Sequence, residues 1–373
     1  MADIGCAGDI SFIPKGLTPM KKPLKVALIV VAILLVLLLA AGMFLPGYLA
    51  RMVYEENFGH RLTSYDPMSW SIDDFEALQR ERYTFPSDKG QMLTGYRYYH
   101  EGVETRGVVV IAHGFGGGGH RHYMNIADYF AANGYVVFCY DATGNDESEG
   151  EAVGGLPQGL IDLDYALRFV KSEPAFAGLP IMLWGHSWGG YSVGSVLALH
   201  PDVKAAVIVA GFNESIDMLA CEGRNIAGDA IDFVLPALAD HEEKLFGDYA
   251  AMNVLDGLAA TDAKVMILHS EDDSMIPIGI SYDRYHAAFG DDPRFTFVHF
   301  DDRGHNYPFC DPAREVYVTA YNTEADAYVA GHGPLSDDER AAYYNEHLDL
   351  HQLYPLDMEL MAQMLALYDS SIQ

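Results

Sequence analysis

Leu179-Pro-Ile-Met-Leu-Trp-Gly-His-Ser-Trp-Gly-Gly-Tyr191 is the stretch on which the fold turns. Residues 181–184 are a short apolar run of strand type, and 191–200 has helical character. Between them lies Gly185-His186-Ser187-Trp188-Gly189, a sharp turn with a serine at its tip. A nucleophile on so tight a corner takes a strained backbone conformation. Side chains on its neighbours would collide with strand and helix, so Gly185 and Gly189 flank it. The turn lifts the Ser187 hydroxyl out of the sheet. It also aims the backbone N–H of Trp188 at the same space, giving half of an oxyanion hole. The pentapeptide alone is a weak signal, and the partners of the serine decide the matter.

His113-Gly114-Phe115-Gly116-Gly117-Gly118-Gly119 comes directly after an apolar strand, 107–112. Glycines such as Gly114 let backbone approach a substrate carbonyl closely, and the Phe115 N–H is the second candidate donor. The loop lacks the Gly-Lys-Ser/Thr ending of a phosphate loop and the spacing of a dinucleotide fingerprint. His113, His120 and His122 have no acidic ligand spaced with them, so no metal site is expected. Glu271-Asp272-Asp273-Ser274-Met275-Ile276-Pro277 follows a strand at 265–269. A carboxylate there can accept an imidazole N–H and fix its tautomer. Asp273, four residues before the proline, is the choice, with Asp272 as the fallback. Gly304-His305-Asn306 follows a strand at 295–300 and offers His305 as the base. His299 lies inside that strand and is the weaker candidate. Ser187, Asp273 and His305 thus occur in chain order, each after its own strand.

These segments, with Asp141-Ala142-Thr143-Gly144 through Ser148-Glu149-Gly150, resemble the serine-type α/β-hydrolases of the monoacylglycerol-lipase-like and S33-aminopeptidase-like group. The resemblance spans about residues 92–308. It implies an α/β-hydrolase fold and a Ser187–His305–Asp273 triad. It also implies acyl transfer without metal or organic cofactor. The family loop after the strand at 135–140 usually reads Asp-x-x-Gly-x-Gly-x-Ser. This chain has Asn145-Asp146-Glu147 where the second glycine would lie.

The rest of the 373-residue chain fits that frame. Half the residues are apolar, enough for one large domain. The formal charge is −30; the first 51 residues hold five basic and two acidic side chains, a net of +3, so the rest carries −33. A body that acidic repels phosphate backbones, and nucleic-acid binding is not expected. The four cysteines make no zinc spacing, and only Cys221 and Cys310 are candidates for a pair.

Residues 1–25 read as a cytoplasmic tail and 26–45 as a transmembrane anchor. The run carries no charge. At about 1.5 Å per residue it reaches about 30 Å, one hydrocarbon thickness. Pro46-Gly47 ends it. A cleaved signal peptide is the rival, with secretion as its consequence. Lysines crowd the N-terminal flank, so the catalytic body is expected outside the cell membrane. Residues 46–90 read as a connector with a helix near 72–81. Residues 91–373 then form the hydrolase domain. Apolar strands alternating with helices predict a mostly parallel sheet covered on both faces. A small helical cap is expected over 212–260, with a helical piece at 230–239. A helical extension covers 311–373, including a capping box at Ser336 and Glu339 and a last helix at 356–368.

The expected function is cleavage of a lipid or small acyl ester. A serine aminopeptidase is the alternative, and a non-catalytic binding or scaffold protein on the same fold is the rival of another class. Nothing in the sequence sets the oligomeric state.

Overall fold

The computed structural model describes residues 22–372; side chains at 22–25, 28 and 36–41 lie outside the described set. The expected tail over 1–25 therefore falls almost wholly outside it. The chain divides into two compact units, Met1–Tyr48 and Leu49–Gln373. Helix α1 (Lys22–Phe58) contains Pro46, so the helix does not stop where the sequence predicts. Proline removes one helical hydrogen bond. The turns beyond it are held by tertiary packing, since Ala50, Tyr54 and Phe58 are buried in the core of the second unit. Among the described residues no helix is long and apolar enough to cross a membrane. Several side chains of the 26–45 run lie outside that set, and the span stays an expectation.

Eight strands form one sheet: β1 (Leu78–Pro86), β2 (Met92–His100), β3 (Gly107–Ala112), β4 (Tyr135–Tyr140), β5 (Ile181–His186), β6 (Ala205–Val209), β7 (Lys264–Ser270) and β8 (Phe295–Phe300). Their order is β1-β2-β4-β3-β5-β6-β7-β8. The β1–β2 and β2–β4 pairs are antiparallel, and every other pair is parallel. Every residue of β3 to β6 is buried, which is why these strands read as unbroken apolar runs. The helix predicted near 72–81 is instead a 3-10 turn, Ile72–Asp74, followed by β1. Pairing with β2 along its whole length overrides the helical promise of the acidic residues. The expected connector thus supplies a sheet strand.

Eleven further helices follow among the described residues: α2 (Met124–Ala132), α3 (Pro157–Ser172), α4 (Trp188–Val196), α5 (Ser215–Ala227), α6 (Leu235–Phe246), α7 (Val254–Ala260), α8 (Tyr282–Phe289), α9 (Arg314–His332), α10 (Asp337–His347), α11 (Leu350–Leu353) and α12 (Met358–Ser371). Alternation along the strands divides the core in two. Val108, Val110, Leu183 and Ile208 meet Leu160 and Leu163 of α3, Val193 of α4 and Leu258 of α7. Val109, Ile111, Trp184 and Val207 meet Phe130 of α2 and Met361, Met364 and Tyr368 of α12. In the expected cap, the predicted 230–239 helix breaks at Val234. A 3-10 turn, Gly228–Phe233, precedes α6, whose Pro236 suits a helix start. The capping box of Ser336 and Glu339 opens α10.

Tyr368 is fully buried, and its hydroxyl donates to the Leu183 carbonyl at 2.8 Å. Tyr368→Ala should cost about 3–5 kcal/mol by the cavity it leaves. Chemical denaturation measures it; an unchanged midpoint would mean that α12 is not part of the core.

Candidate active site

Ser187 links β5 to α4 with φ 57° and ψ −115°, a left-handed backbone for a non-glycine residue. The glycines beside it have steric reasons. A Cβ on Gly185 would run into the Gly189 carbonyl, and one on Gly189 into the carbonyl of Ala112. The Ser187 N–H donates to the Val209 carbonyl at 2.8 Å, pinning the corner to β6. Trp188 begins α4, and its indole N–H donates to the Leu156 carbonyl at 2.6 Å.

Two loops bring partners to Ser187. His305 Nε2 lies 2.9 Å from Ser187 Oγ, and His305 Nδ1 lies 2.7 Å from Asp273 Oδ2. The other oxygen of Asp273 accepts the N–H groups of Met275 and Ile276, at 2.9 and 2.8 Å. Burial pushes the Asp273 carboxyl up, but the bond and charge of His305 outweigh it and hold the group below the usual range. Asp272, the fallback, has another part. Its Oδ1 accepts from Ser270 Oγ and from the Gly304 N–H, bracing the loop that carries His305. His299 pairs with Glu271 at 3.1 Å, away from the serine.

The glycine loop is fixed from several sides. His113 Nδ1 meets the Gly114 carbonyl at 2.8 Å, and its Nε2 accepts from the Ala142 N–H at 3.0 Å. Burial keeps His113 neutral by lowering its pKa. The Gly114 N–H donates to the Tyr123 hydroxyl at 3.0 Å. That hydroxyl lies 2.9 Å from His186 Nδ1, and His186 Nε2 meets the His305 carbonyl at 2.9 Å. Tyr123 and His186 therefore join the glycine loop to the His305 loop. Sequence reading missed both, though His186 stands inside the motif. His120 is bound to Asp141, at 2.8 Å from Nδ1 to Oδ1. Among the described residues, no three His, Cys, Asp or Glu side chains converge as metal ligands do. Cys221 and Cys310 are both free thiols, so the candidate pair is not formed.

A cavity of about 190 Å³ opens at the serine. Leu156, Trp188, Phe212, Met218 and Ile276 come to it from the first core cluster and its margin. Tyr123, Tyr307 and Phe309 come from the second. Phe115 and His122 also line it, and the Phe115 ring stands edge-on to Trp188 at 5.5 Å.

Several known proteins resemble parts of this chain. The model of the family described as serine aminopeptidase, S33, matches residues 103–244, a stretch that holds Ser187 but ends before Asp273 and His305. A monoacylglycerol lipase of Mycolicibacterium smegmatis is 29% identical over 137 residues, 35% of this chain and 46% of that protein. A monoglyceride lipase of Saccharomyces cerevisiae is 34% identical over 94 residues, 23% of this chain and 28% of that one. The chain thus spans about half or less of these relatives' lengths. An esterase of Pyrococcus furiosus superposes with a TM-score of 0.51 at 15% identity, covering 72% of this chain and 97% of that one. Strand order, elbow and this likeness define an α/β-hydrolase fold. Within that class the chain resembles the serine-type group around the monoacylglycerol lipases and the S33 proteins.

Burial holds His122 and His186 neutral, with pKa values lowered to about 4 and about 3; the charge of His305 adds to the effect on His186. The unfolded chain protonates them near the ordinary value of about 6.5. Between about pH 6.5 and 4 the unfolded state binds more protons, so these groups make stability fall as pH falls. Asp162, raised to about 6 by burial, works in the opposite sense and is common to wild type and variant. His122→Asn should flatten the pH slope of the urea midpoint over that window. An unchanged slope would contradict the neutral, half-buried state of His122.

Proposed function

We propose that the protein is a membrane-anchored serine hydrolase that cleaves a carboxylic ester through an acyl-enzyme on Ser187. The hydrogen-bonded series Asp273–His305–Ser187 carries the proposal. His305 Nε2 takes the Ser187 proton as Oγ attacks the ester carbonyl, while Asp273 holds the Nδ1–H and stabilises the imidazolium. The N–H groups of Phe115 and Trp188 receive the developing oxyanion. His305 then protonates the departing alcohol. Water, deprotonated by His305, attacks the acyl carbon; as the bond to Oγ breaks and the acid leaves, His305 returns the proton to Ser187.

The cavity supports an uncharged acyl substrate, lipid or small. Its lining is mostly apolar and includes no Asp or Glu among the described residues. A peptide substrate with a free amino terminus would want such a carboxylate, so the ester is favoured over the aminopeptidase reading. The paired triad geometry speaks against a silent scaffold, which has no need to keep it.

Residues 26–45 are the proposed anchor. Their uncharged composition, and an α1 of 37 residues that contains them, support it. The lysines at 21, 22 and 25 support a cytoplasmic N-terminus and an extracytoplasmic catalytic unit.

Ser187→Ala should abolish labelling by a fluorophosphonate probe and hydrolysis of p-nitrophenyl esters. His305→Ala should lower kcat by about 10⁶-fold. Labelling that persists in Ser187→Ala would rule out that serine. For the anchor, protease added to intact cells should degrade residues beyond 49; full protection would refute the orientation.

A further inference from the structure

Asp146 stands in the loop after β4 with φ 33°, a left-handed backbone that an L side chain adopts at a cost. Glycine would take that conformation freely, so the carboxylate needs a reason to be there. Its Oδ2 accepts the Gly119 N–H at 2.9 Å, at the far end of the glycine loop. The same oxygen accepts the Ser64 hydroxyl, and Oδ1 accepts the Ser64 N–H at 2.6 Å. The Asp146 backbone is tied to the same strap of chain. Its N–H donates to the Leu62 carbonyl at 3.0 Å, and its carbonyl accepts from Arg61 Nη2 at 2.8 Å. Ser64 is buried directly against the glycine loop, where a Cβ on Gly118 would run into its hydroxyl.

We propose that Asp146 is a positioning residue that sets the oxyanion loop by clamping Gly119 and Ser64 with one carboxylate. This rests on the acyl-transfer reading of Ser187. Gly116 and Gly118 have φ of 93° and 127° and no Cβ to hold them there. The loop between Gly114 and Gly119 therefore takes its shape from what grips its ends. Tyr123 grips the Gly114 end, and Asp146 grips the Gly119 end. Phe115 N–H, the proposed oxyanion donor, lies between them. A shift of about 1 Å in such a donor costs about 10²-fold in rate. Because the donor acts on the developing oxyanion, the loss falls on kcat and not on KM.

Asp146→Gly and Asp146→Asn in the full-length protein, kept in detergent, test this. Asp146→Gly relieves the backbone and removes the clamp; Asp146→Asn keeps the shape and removes the charge. The substrate is p-nitrophenyl butyrate. The second readout is inhibition by an alkyl trifluoromethyl ketone, whose serine adduct carries an oxyanion. Asp146→Gly, where it stays folded at the assay temperature, should lose about 10- to 100-fold in kcat with KM unchanged. Inhibition by the ketone should weaken by the same factor, and Asp146→Asn should fall between this variant and wild type. Full kcat in Asp146→Gly, or full kcat in a folded Asp146→Asn beside an unfolded Asp146→Gly, would overturn the clamp. Fluorophosphonate labelling of wild type separates the failures: without it the Ser187 reading fails, and with it only the role of Asp146 does.

Discussion

Backbone crowding at one corner governs this molecule. The carbonyls of Ala112 and Gly189 fill the space where side chains at 189 and 185 would stand. Ser187 is left at φ 57°, half-buried on the crest between β5 and α4. That strain is sustained because β5 is the buried middle of the sheet, paired on both sides to β3 and β6. The sheet thus holds a hydroxyl in a position that a flexible loop could not keep.

Everything else at the site is arranged to reach that crest. Asp273 follows β7 and His305 follows β8, the two strands beyond β6 on the side away from the glycine loop. Two groups bind the flanks together. Tyr123 and His186 run from the Gly114 amide to the His305 carbonyl, and Asp146 joins the Gly119 end to the strap that follows α1. A third junction joins α1, α5 and α6. Tyr54 of α1 and Ser215 of α5 both donate to the buried Glu242 of α6. Burial raises the Glu242 carboxyl, and the two hydroxyls offset part of that rise.

Residues whose role follows from local pattern were legible in the sequence. β3, β4 and β8 start and stop where their apolar runs do, and Ser187, Asp273 and His305 each sit just beyond a strand. β1 was not legible: Gln79-Arg80-Glu81-Arg82 is a polar edge segment, and only its pairing with β2 makes it a strand. The passage of α1 through Pro46 was hidden for the same reason, since packing of Tyr54 and Phe58 decides it. At the site, Tyr123 and His186 owe their importance to partners far along the chain. Asp146 did leave a trace, as an aspartate where glycine is usual, but its contacts with Ser64 and Gly119 appear only once the chain is folded.

A crystal structure of the protein phosphonylated at Ser187 tests the account most directly. The phosphoryl oxygen should lie about 2.7–3.1 Å from both the Phe115 and Trp188 amide nitrogens, with His305 still bonded to Asp273. A phosphoryl oxygen turned into solvent, or a glycine loop withdrawn so that Phe115 cannot reach it, would contradict the account.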